Sequence, residues 1–112
     1  MNEQRKHERY RLWFPVQLQG RDATVAMGIS HNTSVSGILI AAASPIEAGT
    51  RVRVTFRPLH ESPEERSVEG RVIRVDANAE DPYGLWPHRI AVEFDTVLPE
   101  LESVLKTAGE KV

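Results

Sequence analysis

LWFPVQLQGRDATVAMGIS, residues 12–30, is the stretch from which the fold is most directly predicted. In its first half the apolar side chains alternate with other residues: Leu12, Phe14, Val16 and Leu18. After a predicted turn at residues 20–22, three further apolar side chains alternate in the same way: Val25, Met27 and Ile29. Alternation with a period of two is typical of a β-strand with one buried face. We therefore predict two strands that pair as a hairpin.

Four more apolar runs follow, and turn-forming segments separate them: residues 37–41, 52–56, 68–75 and 90–94. In the third run the apolar parity switches between Val72 and Ile73, which predicts either a β-bulge or a strand covered on both faces. After Thr96 the apolar spacing becomes helical, with Pro99 near the first turn and Gly109 at the end. The pattern predicts an all-β fold, a small six-stranded antiparallel barrel followed by a C-terminal α-helix.

The N-terminal segment differs in charge from the rest of the chain. Residues 1–11 hold four cations and two anions, a net charge of +2, whereas residues 12–112 hold ten cations and fourteen anions, a net charge of -4. Tyr10 is the one sizeable apolar group of residues 1–11, so this segment buries too little surface to offset the entropy cost of ordering it. We predict a flexible basic N-terminal arm at residues 1–11 and a barrel domain at residues 12–112.

Composition argues against several classes of function. The 112 residues include no cysteine, which excludes disulfides and thiolate-bound metal centres. The histidines lie in separate polar segments and are predicted to be solvated loop residues without metal: His7, His31, His60 and His88. Neither a hydrolase elbow nor a phosphate loop is present, so we predict no enzyme and no cofactor. The polar N-terminus and the lack of a long apolar run predict a cytoplasmic protein without membrane insertion.

Two short motifs are candidates for ligand recognition. Arg5 and Arg9 precede the first strand, and two guanidinium groups on one short segment can pair with phosphates or with the O6/N7 edge of guanine. A solvated tail is an equally good interpretation of this segment alone. Asn32, Ser34 and Gly37 form an Asn-x-Ser-x-x-Gly segment before the third strand. Asn and Ser in a turn more often cap their own backbone, while Gly37 permits either a positive φ or close approach of another group.

The order of the two motifs on this strand pattern resembles the PilZ domain, a bacterial receptor module for cyclic di-GMP. The resemblance extends to the late strand Ile90-Ala91-Val92-Glu93-Phe94 and to the terminal helix, so it covers nearly the whole chain. In two places the sequence departs from the family pattern. Asn32 stands where many members have Asp, and Ala91 stands where a glycine is common, a change that we expect to affect barrel packing more than binding.

The resemblance implies a ligand, cyclic di-GMP, and a role for each motif residue. Arg5 and Arg9 would wrap over the dinucleotide, Asn32 and Ser34 would hydrogen-bond a guanine, and Gly37 would keep that surface open. Further candidates for ligand contact are these: Lys6, Arg11, Arg74 and, more weakly, Trp86. The implied function is that of a receptor without an effector domain of its own, which converts nucleotide binding into altered binding of an unidentified effector protein.

Two alternatives remain open from the sequence. The first is a PilZ-like adaptor that binds a partner protein and no nucleotide. The second is a small nucleic-acid-binding barrel, which needs exposed aromatic side chains for stacking. Trp13, Tyr10 and Trp86 are predicted to be the exposed aromatics, but the acidic remainder of the surface opposes this alternative, and we expect no DNA or RNA partner.

Overall fold

The computed structural model describes residues 7–21, 23–57 and 65–112. The predictions on Arg5, Lys6 and His60 therefore lie outside the described residues. The described chain contains eight strands and one helix. Their bounds are these: β1 Tyr10–Arg11, β2 Pro15–Gly20, β3 Val25–Thr33, β4 Gly37–Ala42, β5 Arg51–Phe56, β6 Arg66–Ala77, β7 His88–Phe94, α1 Leu101–Ala108 and β8 Glu110–Lys111.

The six longer strands close into a barrel. Their order is β2-β5-β6-β7-β4-β3, and an additional pairing of β2 with β3 closes the ring. Every one of these pairings is antiparallel. The predicted six-stranded antiparallel barrel with a C-terminal helix is thus confirmed. The two short strands lengthen the sheet beyond β3, in the order β3-β1-β8.

The barrel interior is filled by the inward side of each strand. In β5 the predicted alternation is confirmed, because Val52, Val54 and Phe56 are buried and the residues between them are more exposed. Phe14 stacks on Phe56 with ring centroids 5.4 Å apart. Contact between these rings joins the segment before β2 to the middle of the core, where large apolar side chains contribute most of the burial energy.

In β3 the apolar alternation faces outward instead of inward. Val25 and Met27 are 46% and 49% exposed, whereas Ala26 and Ser30 are buried. The reason is lack of space on the inner side. A Cβ atom on Gly28 would lie 2.7 Å from the Cγ2 of Ile40, and closer still to a backbone carbonyl of β4. Small residues therefore occupy the inner face of β3, and its larger side chains point to solvent.

Two bulges interrupt the ladder. In β6 the register with β7 shifts between Val72 and Arg74, which confirms the bulge alternative predicted from the parity switch and leaves Ile73 53% exposed. In β3 the register with β4 shifts between Ser30 and Asn32. Strand β3 nevertheless extends to Thr33, so only residues 34–36 connect it to β4.

Strand β1 lies within the predicted arm. Tyr10 pairs with Thr33 of β3 and with Lys111 of β8, and its side chain is buried. Burial, followed by the negative charge of Glu102 on α1, raises the pKa of Tyr10. The expected exposure of Tyr10 is wrong, and the sheet includes Tyr10 and Arg11, ahead of the predicted domain boundary. Helix α1, β3 and β8 thus supply the surroundings in which Tyr10 is buried.

Helix α1 begins later than the apolar spacing predicts. Leu98 and Pro99 form a turn, whose carbonyls accept hydrogen bonds from the amides of Leu101 and Glu102. Leu101 and Leu105 are buried in the same core cluster as the barrel side chains. As predicted, the helix ends at Gly109, whose amide donates to the Leu105 carbonyl at 2.8 Å. Within the described ranges, no helix has the length and apolar character needed to cross a membrane.

Candidate functional site

The two recognition motifs meet where the N-terminal segment crosses the end of β3. The Arg9 guanidinium donates from Nη1 to the Oδ1 of Asn32, with 3.0 Å between the two atoms. Both side chains are half-buried. Residues separated by 23 positions in the sequence are thus joined by a side-chain hydrogen bond, and each belongs to a different predicted motif.

Ser30 positions the two chain segments that carry this contact. Its backbone amide donates to the Phe14 carbonyl at 2.9 Å, and its Oγ accepts from the Phe14 amide at 2.9 Å. The same hydroxyl donates to the carbonyl of Leu12. Immediately after Ser30 the β3 bulge adds one residue, which sets the face on which Asn32 lies. The bulge is therefore part of how the sequence aims Asn32 at Arg9.

Ser34 and Gly37 shape the turn between β3 and β4. Ser34 is 1% exposed, and its Oγ accepts from the Ser36 amide at 3.1 Å, a serine turn of the kind expected for structural reasons. The Ser34 amide donates to the Gly37 carbonyl at 2.9 Å. A Cβ atom on Gly37 would lie 2.7 Å from the Val92 carbonyl oxygen. Close approach of β7, rather than a positive φ, explains the glycine.

A row of side chains continues from Asn32 across the outer face of the barrel. Asn32 pairs with Leu39, Leu39 with Ala91, and Ala91 with Arg74. Directly opposed residues of antiparallel strands share a face, so all four belong to one surface. Three strand-to-strand steps separate Asn32 from Arg74, about 14 Å. Ala91 thus faces this surface and not the barrel interior.

Arg74 lies at the far end of this row. Its side chain is exposed, and its Nε donates to the Oδ2 of Asp76 at 2.7 Å. The structure therefore places Arg74 on the same face as Asn32 but not in contact with it. Trp86 lies in the loop between β6 and β7, half-buried. Its backbone amide donates to Asp81, and its carbonyl accepts from the buried Asn78 side chain.

Three residues of the site were missed by sequence reasoning. His31, in the β3 bulge, is half-buried, with its Nε2 3.5 Å from Nη2 of Arg89 and 3.7 Å from Oε1 of Glu80. Arg89 and Glu80 form an ion pair at 2.6 Å. Arg89 alternates with the buried residues of β7, and this alternation could have indicated that its side chain lies on the outer face of the barrel. The path of the loop at residues 78–87, which brings Glu80 to Arg89, is not indicated by the sequence pattern.

The charged side chains of this surface carry a net positive charge. Three arginines and two carboxylates belong to it: Arg9, Arg74, Arg89, Asp76 and Glu80. Guanidinium groups bind phosphate and guanine edges through paired donors. We name this outer face, from Arg9 and Asn32 across to Arg74 and Arg89, the cationic face.

A concave part of the described surface lies outside the cationic face. A pocket of about 310 Å³ is lined in part by Arg21, Arg51 and Arg53. Two of these cations already have carboxylate partners, because Arg51 donates to Asp95 at 2.8 Å and Arg53 to Glu69 at 2.9 Å. The Arg51 hydrogen bonds lower the pKa of Asp95. We favour the cationic face because both recognition motifs meet there, whereas none of their residues lines this pocket. Across residues 7–21, 23–57 and 65–112, no three His, Cys, Asp or Glu side chains cluster closely enough to hold a metal ion.

Comparisons with known proteins agree with this architecture. Among solved structures, the inhibitor of motility MotI/DgrA of Bacillus subtilis matches with a TM-score of 0.68 and 20% identity, over 96% of this chain and 50% of that one. The PilZ domain of YcgR from Escherichia coli, solved with c-di-GMP, matches with a TM-score of 0.65 and 14% identity, over 93% and 87%. The PilZ domain of CeSA from a cellulose-synthesizing bacterium matches with a TM-score of 0.59 and 19% identity, over 89% and 93%.

This chain thus spans half the length of the Bacillus subtilis protein. No curated protein sequence matches it. At these identities the solved structures establish the fold. The family model for the PilZ domain matches residues 3–108, nearly the whole sequence. The chain therefore belongs to the PilZ domain family.

Proposed function

We propose that this chain is a receptor for cyclic di-GMP, which it binds on the cationic face. The observation that carries the proposal is the Arg9–Asn32 hydrogen bond, because it unites the two motifs in one place. Support for the ligand comes from the YcgR neighbour, whose PilZ domain was solved with c-di-GMP. PilZ domains are binding modules, and on this proposal the chain is not an enzyme.

Binding would use the ordinary chemistry of guanine and phosphate recognition. Arg9 is placed to offer its guanidinium to a guanine O6/N7 edge or to a phosphate, while the Asn32 amide offers both a donor and an acceptor. Arg5 and Lys6 would add contacts from the proposed flexible arm. On the opposite side of the face, Arg74 would approach the second half of the dinucleotide.

Ser34 and Gly37 would act chiefly through the turn that they form. The Ser34 hydroxyl is engaged within that turn, and Gly37 leaves room for β7. Loss of either residue would then move Asn32 away from Arg9. A direct hydrogen bond from Ser34 to guanine would require the turn to open.

The output of such a receptor would be a change in its binding of an effector protein in the cytoplasm. Contact of Arg5 and Lys6 with the bound ligand would create a new surface for that partner. The nucleic-acid alternative is weakened by burial of Tyr10, which removes one of its three proposed stacking side chains. The nucleotide-free adaptor remains the competing function.

Isothermal titration of the chain with cyclic di-GMP tests the proposal. We expect saturable binding that weakens as salt is raised, because charge is neutralised on binding. Arg5→Ala and Arg9→Ala should each weaken it, and Arg21→Ala, whose side chain lies outside both motifs, should not. Lack of binding heat at high micromolar ligand would overturn the receptor proposal and favour the adaptor.

A further inference from the structure

The ion pair between Arg89 and Glu80 lies beside the motif residues. Arg89 approaches Glu80 through Nη2 at 2.6 Å, and the same Nη2 is 3.5 Å from Nε2 of His31. On its other side, His31 approaches the Asn32 amide, with 3.3 Å between Nδ1 and Nδ2. A continuous line of polar side chains therefore runs from Arg9 through Asn32 and His31 to Arg89.

Arg89 has unused hydrogen-bonding capacity. Its side chain is 27% exposed, and its Nε is buried with no acceptor in the part of the chain that the structure describes. A guanidinium has five N–H donors, and a single monodentate carboxylate contact leaves most of them available. Arg89 lies two residues before Ala91 in β7, so its side chain is on the same face as the Asn32 row.

We propose that Arg89 is a further anion-binding residue of the cyclic di-GMP site, and that Glu80 occupies it in the free protein. The inference rests on the proposed function. A ligand phosphate or guanine edge would replace the Glu80 carboxylate on Arg89, so Glu80 acts as a competitor built into the protein.

Glu80 is suited to leave without disrupting the fold. Its side chain is 73% exposed, and an ion pair open to water contributes little to stability. The loop that carries it is held by other bonds. The Asn78 amide donates to the Trp86 carbonyl at 2.7 Å, and Asp81 accepts from the Trp86 amide at 3.0 Å. Release of Glu80 therefore leaves the loop anchored at both ends.

The two residues are predicted to have opposite effects on affinity. Glu80→Gln removes the competing charge and should tighten binding of cyclic di-GMP by up to about fivefold. Arg89→Ala removes a charge-assisted contact and should weaken binding by roughly tenfold or more. A purely structural role of the ion pair predicts that both variants lose affinity, so the sign of the Glu80 effect separates the two explanations.

The test is a double-substitution cycle measured by titration with cyclic di-GMP. If Glu80 acts by masking Arg89, Glu80→Gln should have no effect once Arg89→Ala is present. Arg53→Ala and Glu69→Gln are matched controls, because they make the same charge changes in a comparable exposed pair outside the cationic face. Each control should change the affinity for cyclic di-GMP only by the small amount that a change of one in net charge produces. Thermal unfolding of each variant checks that it is folded.

The possible outcomes distinguish the inference from the proposed function. The inference is supported if Glu80→Gln tightens binding and if the same substitution has no effect when Arg89→Ala is present. Normal binding by both single variants, or tightening by Glu80→Gln that persists without Arg89, overturns it while leaving the receptor function intact. Absence of binding by the unmodified chain overturns both.

Discussion

Arg9→Ala should have two effects that can be measured separately. In the free protein it removes the hydrogen bond that the charged guanidinium donates to the half-buried Asn32. Because water competes for this half-buried pair, we take the range of an ordinary hydrogen bond, about 0.5–1.5 kcal/mol of the free energy of unfolding. For a domain of this size that loss lowers the Tm by about 2–10 °C. In the complex, loss of the guanidinium removes recognition of a base edge or phosphate, which costs about 1–3 kcal/mol, or about 5–150-fold in Kd.

The assay combines thermal unfolding with calorimetric titration for Arg9→Ala, Asn32→Ala and the double variant. If the hydrogen bond joins the two side chains, their effects on stability should be less than additive, with a coupling energy of about 0.5–1 kcal/mol. Arg21→Ala is the control for removal of a surface arginine, and it should leave both stability and affinity unchanged. Additive stability effects together with an unchanged Kd in Arg9→Ala would refute the reasoning.

Three further predictions concern the scaffold. Gly28→Val should destabilise the barrel by about 1–3 kcal/mol or more, seen as a lower Tm, because its side chain would collide with β4, and an unchanged Tm would contradict the tight packing there. Arg51 lowers the pKa of Asp95 in the folded protein. The ionised Asp95 therefore stabilises the fold above the ordinary pKa of 3.8, and this effect is lost as pH falls through the lower pKa of the folded protein. The stability difference between the unmodified chain and Asp95→Asn in urea unfolding should therefore shrink from about pH 7 to about pH 3, and a constant difference would count against it. The pKa of Tyr10 is raised above 10.0, so its phenol stabilises the fold below that value and this effect is lost as pH rises through the higher folded value. Any advantage over Tyr10→Phe in urea at about pH 8 should disappear at about pH 11, and its persistence would argue against the buried phenol.

Strand periodicity was sufficient to predict the barrel because most inward positions are large and apolar. Val52, Val54 and Phe56 show this plainly. The same rule fails in β3, where the pattern is present but its orientation is inverted. The space inside the barrel, and not hydrophobicity, decides which side of β3 faces the core. That space depends on how closely β4 approaches β3. The distance between two neighbouring strands cannot be read from a single sequence.

The burial of Tyr10 was mispredicted for a related reason. Tyr10 is a single apolar group in a polar segment, so local composition favours exposure. Its burial depends on α1 and on β8, which follow it by about a hundred residues. Contacts of such long range cannot be inferred from the composition of residues 1–11.

For the candidate site, sequence motifs identified Arg9 and Asn32, and the structure brings them into contact. His31, Glu80 and Arg89 were not identified, because each looks like an ordinary polar residue of a loop or strand edge. Their proximity arises from the β3 bulge and from the path of the 78–87 loop. Both are irregular features of polar segments, which have no apolar alternation that could reveal them.

The most direct test of the central claim is a map of backbone amide chemical-shift changes as cyclic di-GMP is added to the isotopically labelled chain. We expect the largest changes on the cationic face, at Asn32, Leu39, Ala91 and Arg89, with little change at the pocket around Arg21. Changes confined to that pocket, or no changes at saturating ligand, would contradict the assignment of the cationic face as the cyclic di-GMP site.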